Sequence, residues 1–232
     1  MKKILIARAV VWLSLAVVLG WLGRGTGYAA ATAPGAPSGA CYAMLGWSMA
    51  DAAALNDRLT PFGYPRLSRG LLSLGCGGRI LVGRLIFGGE CHRLSQGEAE
   101  TGESRISLDG GLGFFDLGAV LVRSPRMLAY ALAGIGGGRL SLNMRATRGA
   151  PFDEVLADPG RDATLSTYGF LTQVAAGVDL KITGRFFIGI RAGYVFAPGR
   201  AEWELGFEEA PSGPDARLTG PSLRVTFGRG SW

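Results

Sequence analysis

The segment RFFIGIRAGYVF alternates along its whole length. Phe186, Ile188, Ile190, Ala192, Tyr194 and Phe196 fall on one side, and Arg185, Phe187, Gly189, Arg191, Gly193 and Val195 on the other. Period-two alternation marks a β-strand with two unlike faces. The pattern recurs from 168 to 181, where Tyr168, Phe170, Val174, Val178 and Leu180 oppose Gln173, Gly177, Asp179 and Lys181. From 127 to 144, Leu128, Tyr130, Leu132, Leu140 and Leu142 form the apolar set against Ala129, Ala131, Ala133, Arg139, Ser141 and Asn143. Near the end, Leu223, Val225 and Phe227 oppose Ser222, Arg224 and Thr226, and the first strand carries Cys41, Ala43, Leu45 and Trp47 on one side. One segment switches parity: Ile106, Leu108, Leu112 and Phe114 give way to Phe115, Leu117, Ala119 and Leu121. A β-bulge near Phe114–Phe115 would restore the facing and hold both Asp109 and Asp116 on the inner side.

The connections alternate as well. Short ones fall at 79–84, 122–126 and 181–185, and long polar ones at 48–68, 95–103, 145–163 and 197–217. The pattern predicts eight strands with short turns at one end and long loops at the other, an asymmetry of outer-membrane barrels. The first long loop has Ser48 and Asp51 at capping-box spacing, then Ala52, Leu55 and Leu59 at helical spacing, with Pro61 and Gly63 as stops. It predicts a short amphipathic helix at the barrel mouth.

Composition then narrows the class. The chain is 48% hydrophobic and 18% charged, with 38 glycines among 232 residues. It is too apolar for disorder and poor in charge for a soluble enzyme. Lys2 and Lys3, the apolar run from Ile4 and the small residues around Ala29–Ala31 form a secretory signal peptide. This divides the chain into a cleaved signal peptide (1–30), a flexible lead-in (31–39) and a barrel (40–232); an uncleaved signal anchor is the alternative. An exported apolar chain with no further run of helix-spanning length crosses lipid as a closed barrel, which satisfies its backbone polar groups internally. The net charge of +6 comes from arginines scattered singly, so it suits an anionic membrane surface and not nucleic acid. The clusters GCGG and GIGGG lack the strand–turn–helix setting of a phosphate loop.

The candidate chemistry concentrates in LSLGCGGRILVGRLIFGGECHRL, residues 72–94. Cys91 and His92 are adjacent, so they point to opposite faces of one strand and do not converge on a metal. Pairing the strands about Leu81–Val82 sets Cys76 opposite Phe87 and Cys91 opposite Leu72, leaving the two cysteines ~14 Å apart and beyond disulfide reach. A bridge between Cys41 and Cys76 is the possible disulfide, both having outward parity on neighbouring strands. The inner face collects a near-balanced charge set of Arg84, Glu90, His92, Asp109, Asp116, Arg139, Asp179, Arg191 and Arg224. Buried charges need partners, so this set reads as a plug. Glu90 and His92 are also the one catalytic alternative.

The signal peptide, RFFIGIRAGYVF and SLRVTF resemble the small OmpA/OmpX-type outer-membrane barrels, in pattern over residues 40–228. The resemblance implies an all-β, eight-stranded antiparallel transmembrane up-and-down β-barrel in the bacterial outer membrane. It places the membrane-insertion signal on Leu223, Val225 and Phe227, with Trp232 out of parity with Phe227. A barrel of eight strands is just wide enough for side chains to fill it. The expected role is structural or surface interaction through four extracellular loops, as a monomer, with no cofactor, metal or enzymatic activity. Expected partners are outer-membrane lipid and a surface or periplasmic protein at loops 48–68 and 145–163. The alternatives are a soluble periplasmic β-barrel or sandwich binder, and a lipid-modifying hydrolase. For the latter, HRLS resembles the His-x-Ser pattern of outer-membrane lipid A deacylases but puts Ser95 on the wrong parity relative to His92.

Overall fold

The computed structural model describes residues 38–101, 104–146, 163–199, 202–206 and 208–232. The expected signal peptide, the lead-in as far as residue 37 and most of loop 145–163 lie outside the described residues. The strands are β1 (Ser38–Met49), β2 (Gly70–Val82), β3 (Leu85–Ser95), β4 (Ala99–Thr101), β5 (Ser104–Arg123), β6 (Met127–Ala146), β7 (Ala163–Thr183), β8 (Phe186–Phe196), β9 (Trp203–Leu205), β10 (Glu208–Ala210) and β11 (Gly220–Gly230). Eight of them pair in the order β1–β2–β3–β5–β6–β7–β8–β11, and β11 returns to β1. Every pairing is antiparallel, so the sheet closes into an up-and-down barrel without an edge. β4 extends β5, and the β9–β10 hairpin adds to β7 beyond the ring.

Tight connections at 83–84, 124–126 and 184–185 lie at one end, together with both ends of the described chain. Gly83 and Gly184 enter two of these turns at φ +64° and +49°, the left-handed conformation that two-residue hairpin turns demand. The longer connections gather at the other end, where β5, β6 and β7, at 20, 20 and 21 residues, outreach their neighbours.

The outer wall carries a band of exposed apolar side chains, including Leu45, Leu72, Leu74, Phe115, Ile135, Phe170, Val174, Ile190, Leu223 and Phe227. On β7 the band runs from Phe170 to Leu180. Ten residue steps at ~3.3 Å, on a strand tilted by ~40°, give a height of ~25 Å.

The lumen is filled in layers. At the loop end, Leu71, Leu94, Ile106, Leu108, Phe114, Leu140, Leu171, Trp203 and Leu218 form an apolar core. A polar layer crosses the middle, and smaller apolar clusters around Leu128 and Phe187 fill the turn end.

Three expectations about parity need correcting. β5 keeps one parity through Phe114↔Gly136 and Phe115↔Ile135, and its irregularity falls between Val120 and Val122. Ile106, Leu108, Leu112 and Phe114 therefore face the lumen, and so do Leu128, Leu132, Leu140 and Leu142 of β6, which alternation alone had placed on the outer, apolar face. The cause is the apolar fill at both ends of the lumen, which makes the inner faces of these strands as hydrophobic as the outer ones. The helix α1 (Ala53–Leu59) starts later than capping-box spacing predicts, because Ser48 belongs to β1. Asp51 Oδ1 instead accepts the Ala53 N–H at 3.3 Å. Leu55 and Leu59 turn down into the apolar core, and a left-handed Gly63 ends the following 3-10 turn at Thr60–Phe62.

The chain end closes the opposite mouth. Trp232 packs edge-on against Phe187 with ring centroids 5.3 Å apart, and Lys181 Nζ sits 4.5 Å from its ring. Ser231 N–H donates to the Gly39 carbonyl at 3.0 Å, which ties the segment back to β1.

Candidate functional site

Between the apolar layers lies a buried polar network drawn from all eight strands of the ring. Glu90 of β3 is its centre: it accepts from Arg224 Nη1 at 2.9 Å, from Gln173 Nε2 at 2.9 Å and from Arg191 Nη1. Gln173 Nε2 also donates to Asp116 Oδ1 at 2.8 Å. A second centre is Asp179, which accepts from Arg79 and from Thr226 Oγ1 at 3.3 Å and Tyr130 Oη at 3.5 Å. Arg191 joins the two by reaching Tyr130 Oη at 3.3 Å and Tyr42 Oη at 3.4 Å. The Arg79 guanidinium lies over the Tyr130 ring, 4.6 Å from its centroid. Arg79 thus pairs with Asp179, and Arg191 and Arg224 both pair with Glu90, while Asp116 meets the Gln173 amide; each of the six charged residues is no more than 3% exposed. Charges taken this far out of water persist only when paired in this way.

Glycine makes the room. A Cβ at Gly189 would lie 1.9 Å from Asp179 Oδ1, and one at Gly134 would lie 2.3 Å from Asp116 Oδ1. The inner-facing glycines of β6 and β8 are thus the counterpart of the buried side chains opposite them.

Of the nine expected lumen charges, Glu90, His92, Asp116, Asp179, Arg191 and Arg224 lie inside. Arg84, Asp109 and Arg139 do not. Arg84 sits exposed in the β2–β3 turn, where strand parity no longer applies. Asp109 and Arg139 face outward because β5 and β6 keep their parity; Asp109 bonds Asn143 at 2.8 Å and Ser95 at 3.0 Å, and Arg139 bonds Ser166 at 2.8 Å. The residues that the strand pattern left out are Arg79, which looked like part of a turn, and Tyr42 and Tyr130. Tyr42 was readable as the inward neighbour of outward Cys41 and Ala43.

The structure adds Ser73 to the catalytic alternative. Ser73 Oγ lies 3.1 Å from His92 Nδ1, and His92 Nε2 lies 3.3 Å from Glu90 Oε1 but outside hydrogen-bond geometry. A serine nucleophile needs its hydroxyl open to substrate. Ser73 is 1% exposed, and Glu90 is already held by two arginines and Gln173. Among the described residues no group of three His, Cys, Asp or Glu side chains could hold a metal.

The Cys41–Cys76 bridge also fails on register. Cys41 stands opposite Gly78 and Cys76 opposite Ala43, so the two are diagonal neighbours. The β2–β3 hairpin turns at Gly83–Arg84, not about Leu81–Val82, and this sets Cys76 directly opposite Cys91. All three cysteines are free thiols.

At the loop end, two hollows open outside the lumen. One of about 150 Å³ is lined by Glu98, Arg105, Ser107, Asp109, Asn143 and Arg145. The other, about 530 Å³, lies between Asp51, Phe196–Pro198 and Asp215–Thr219. The Asp51–Arg217 backbone pair, with N–H to carbonyl distances of 2.8 and 3.0 Å, straps the first and last long connections together there. The Arg217 side chain bonds Asp215, which raises its pKa above the ordinary arginine value.

No protein-family model and no curated protein matches the chain. Among solved structures, it is similar to Ail, the attachment invasion locus protein of Yersinia pestis, at 12% identity and TM-score 0.48, covering 84% of this chain and 97% of that one. It is also similar to Neisserial surface protein A at 13% identity and TM-score 0.38, over 84% of this chain and 94% of that one. A third is the outer-membrane protease OmpT of Escherichia coli, at 10% identity and TM-score 0.37, over 87% and 98%. At these scores the likeness carries no argument about function, which rests on the residues of this chain alone.

Proposed function

We propose that this chain is a small bacterial outer-membrane β-barrel with a sealed lumen, acting structurally or by surface interaction through the connections at its loop end. The observation that carries this reading is the pairing of an exposed apolar band with a filled interior. Arg191, Arg224, Tyr130 and Phe114 rank among the largest fully buried side chains, while leucines and phenylalanines stand exposed on the outer wall. A soluble barrel or sandwich would invert that distribution. The leading 30 residues serve as the export signal, and Leu223, Val225 and Phe227 on the lipid-facing side of β11 serve as the insertion signal. The turn end then faces the periplasm and the long connections face outward.

The loop-end hollows and the exposed Phe62, which is 73% accessible at the tip of the first long connection, are the surfaces offered to a partner. Loop 48–68 remains a partner site in this reading, though its helix is committed to closing the lumen; loop 145–163 is the other. The protein works as a monomer without cofactor. Reconstituted into planar bilayers, the full chain gives no steady ion conductance. Stable channels of porin size would overturn the sealed-lumen reading.

A lipid hydrolase is the second reading; it rests on the Ser73–His92 hydrogen bond alone and requires the buried Ser73 to open to substrate. It predicts that His92→Ala and Ser73→Ala each abolish a change in lipid A caused by expressing the chain; lipid A that is unaltered by the wild-type chain removes it.

A further inference from the structure

Cys76 and Cys91 are the one pair of thiols that the barrel brings together. They are direct partners in the antiparallel β2–β3 ladder, and their sulfurs lie 3.5 Å apart. Directly opposed residues in such a ladder have Cα atoms about 4.5–5.5 Å apart, inside the span of about 4.4–6.8 Å that a disulfide bridges. Rotation of the two side chains is enough to close the remaining gap, and the strands need not move. Cys41 has no such partner. It faces Gly78, two residues along from Cys76, and a diagonal pair stands about 7–8 Å apart, outside that span.

The surroundings leave space for the bond. The outward-facing rung on the turn side is Gly78↔Gly89, that on the loop side is Leu74↔Arg93, whose side chains are exposed, and the flanking strands present Ala43 beside Cys76 and Gly113 beside Cys91. No side chain stands between the two sulfurs, and their lateral neighbours are small.

We propose that Cys76 and Cys91 are a modification site, oxidised in the cell envelope to a cross-strand disulfide that staples the β2–β3 hairpin and leaves Cys41 free. This rests on the reading that the chain is exported. In the reaction one thiolate attacks a disulfide oxidant of the envelope, by class a thiol–disulfide oxidoreductase, giving a mixed disulfide. The second thiolate attacks the cysteine sulfur of that intermediate. The Sγ–Sγ bond forms, the oxidant's S–S bond breaks, and the oxidant leaves as a dithiol that carries the two electrons and, by way of water, the two protons given up by Cys76 and Cys91. Both sulfurs face the outer wall, which lipid covers after insertion and a water-borne oxidoreductase does not reach. Oxidation therefore precedes insertion, while the β2–β3 segment is still open to the oxidant.

The test is a thiol count on the full chain, expressed with its own leader and alkylated while denatured without reductant. The wild type is expected to take one alkyl group, Cys41→Ser none, and Cys76→Ser two. Tryptic digestion is expected to release GLLSLGCGGR (70–79) joined to LIFGGECHR (85–93). Three alkyl groups on the wild type, or any linked peptide containing Cys41, overturn the proposal. The count is made on whichever envelope fraction holds the chain. Three thiols in a membrane-embedded barrel defeat the bridge alone, whereas recovery of the chain as a soluble periplasmic protein defeats the membrane reading and leaves the count to decide the bridge.

Discussion

Glu90 holds two buried arginines, Arg191 and Arg224, together with Gln173, whereas Asp179 holds one. Removing it leaves two buried guanidinium groups without their carboxylate, and breaking a buried ion pair from one side costs about 3–5 kcal/mol. Glu90→Ala is therefore expected to lower the unfolding free energy in detergent micelles by that amount, measured by urea titration. A loss below ~1 kcal/mol would mean that water already solvates the arginines. The glycines make the complementary case. Gly189→Ala drives a methyl group into Asp179 and is expected to cost about 1–3 kcal/mol, whereas Gly169→Ala meets nothing within 4 Å and is expected to leave the midpoint unchanged. Equal effects at the two positions would show that backbone freedom, not space for the carboxylate, is what glycine supplies.

Two elements act as closures, one at each end of the lumen. Trp232 at the turn end makes its ring contacts with Phe187 and Lys181 only when the chain end folds back. Trp232→Ala is expected to lower stability by about 2 kcal/mol while sparing membrane insertion. Phe227→Ala, which removes a side chain from the outer wall, is expected to reduce the amount inserted without that loss, as measured by the yield of heat-modifiable protein. The reverse pattern would place the insertion signal on Trp232. The elements differ in how far the sequence revealed them. β8 and β11 were legible because their outer faces are apolar while their inner faces carry glycine, arginine, serine or threonine at most positions. β5 and β6 were ambiguous because Leu108, Leu112, Leu140 and Leu142 fill an apolar layer of the lumen, so hydrophobicity no longer tells inside from outside. Register was harder still. A four-residue error in pairing β2 with β3 followed from centring the turn on Leu81–Val82 rather than on the left-handed Gly83, and it hid the Cys76–Cys91 pair. The central charge set was partly visible from parity. Arg84 and Asp109 were misplaced because a turn and a misjudged strand do not carry parity across.

At the scale of the whole molecule, the closed ring, its apolar outer band and its filled interior support the proposed reading of a membrane barrel with a sealed lumen. An apolar band of ~25 Å matches the outward band of outer-membrane barrels, and the layered core, buried ion pairs and end contacts fill the lumen along its length. A barrel held by eight strand pairings resists unfolding by detergent at room temperature and yields on boiling. The direct test is electrophoretic mobility of the detergent-extracted chain with and without heating. The account predicts that the protein leaves membranes only with detergent, and that the unheated sample migrates faster than the boiled one. Release into aqueous buffer without detergent, with the same mobility before and after boiling, would contradict it.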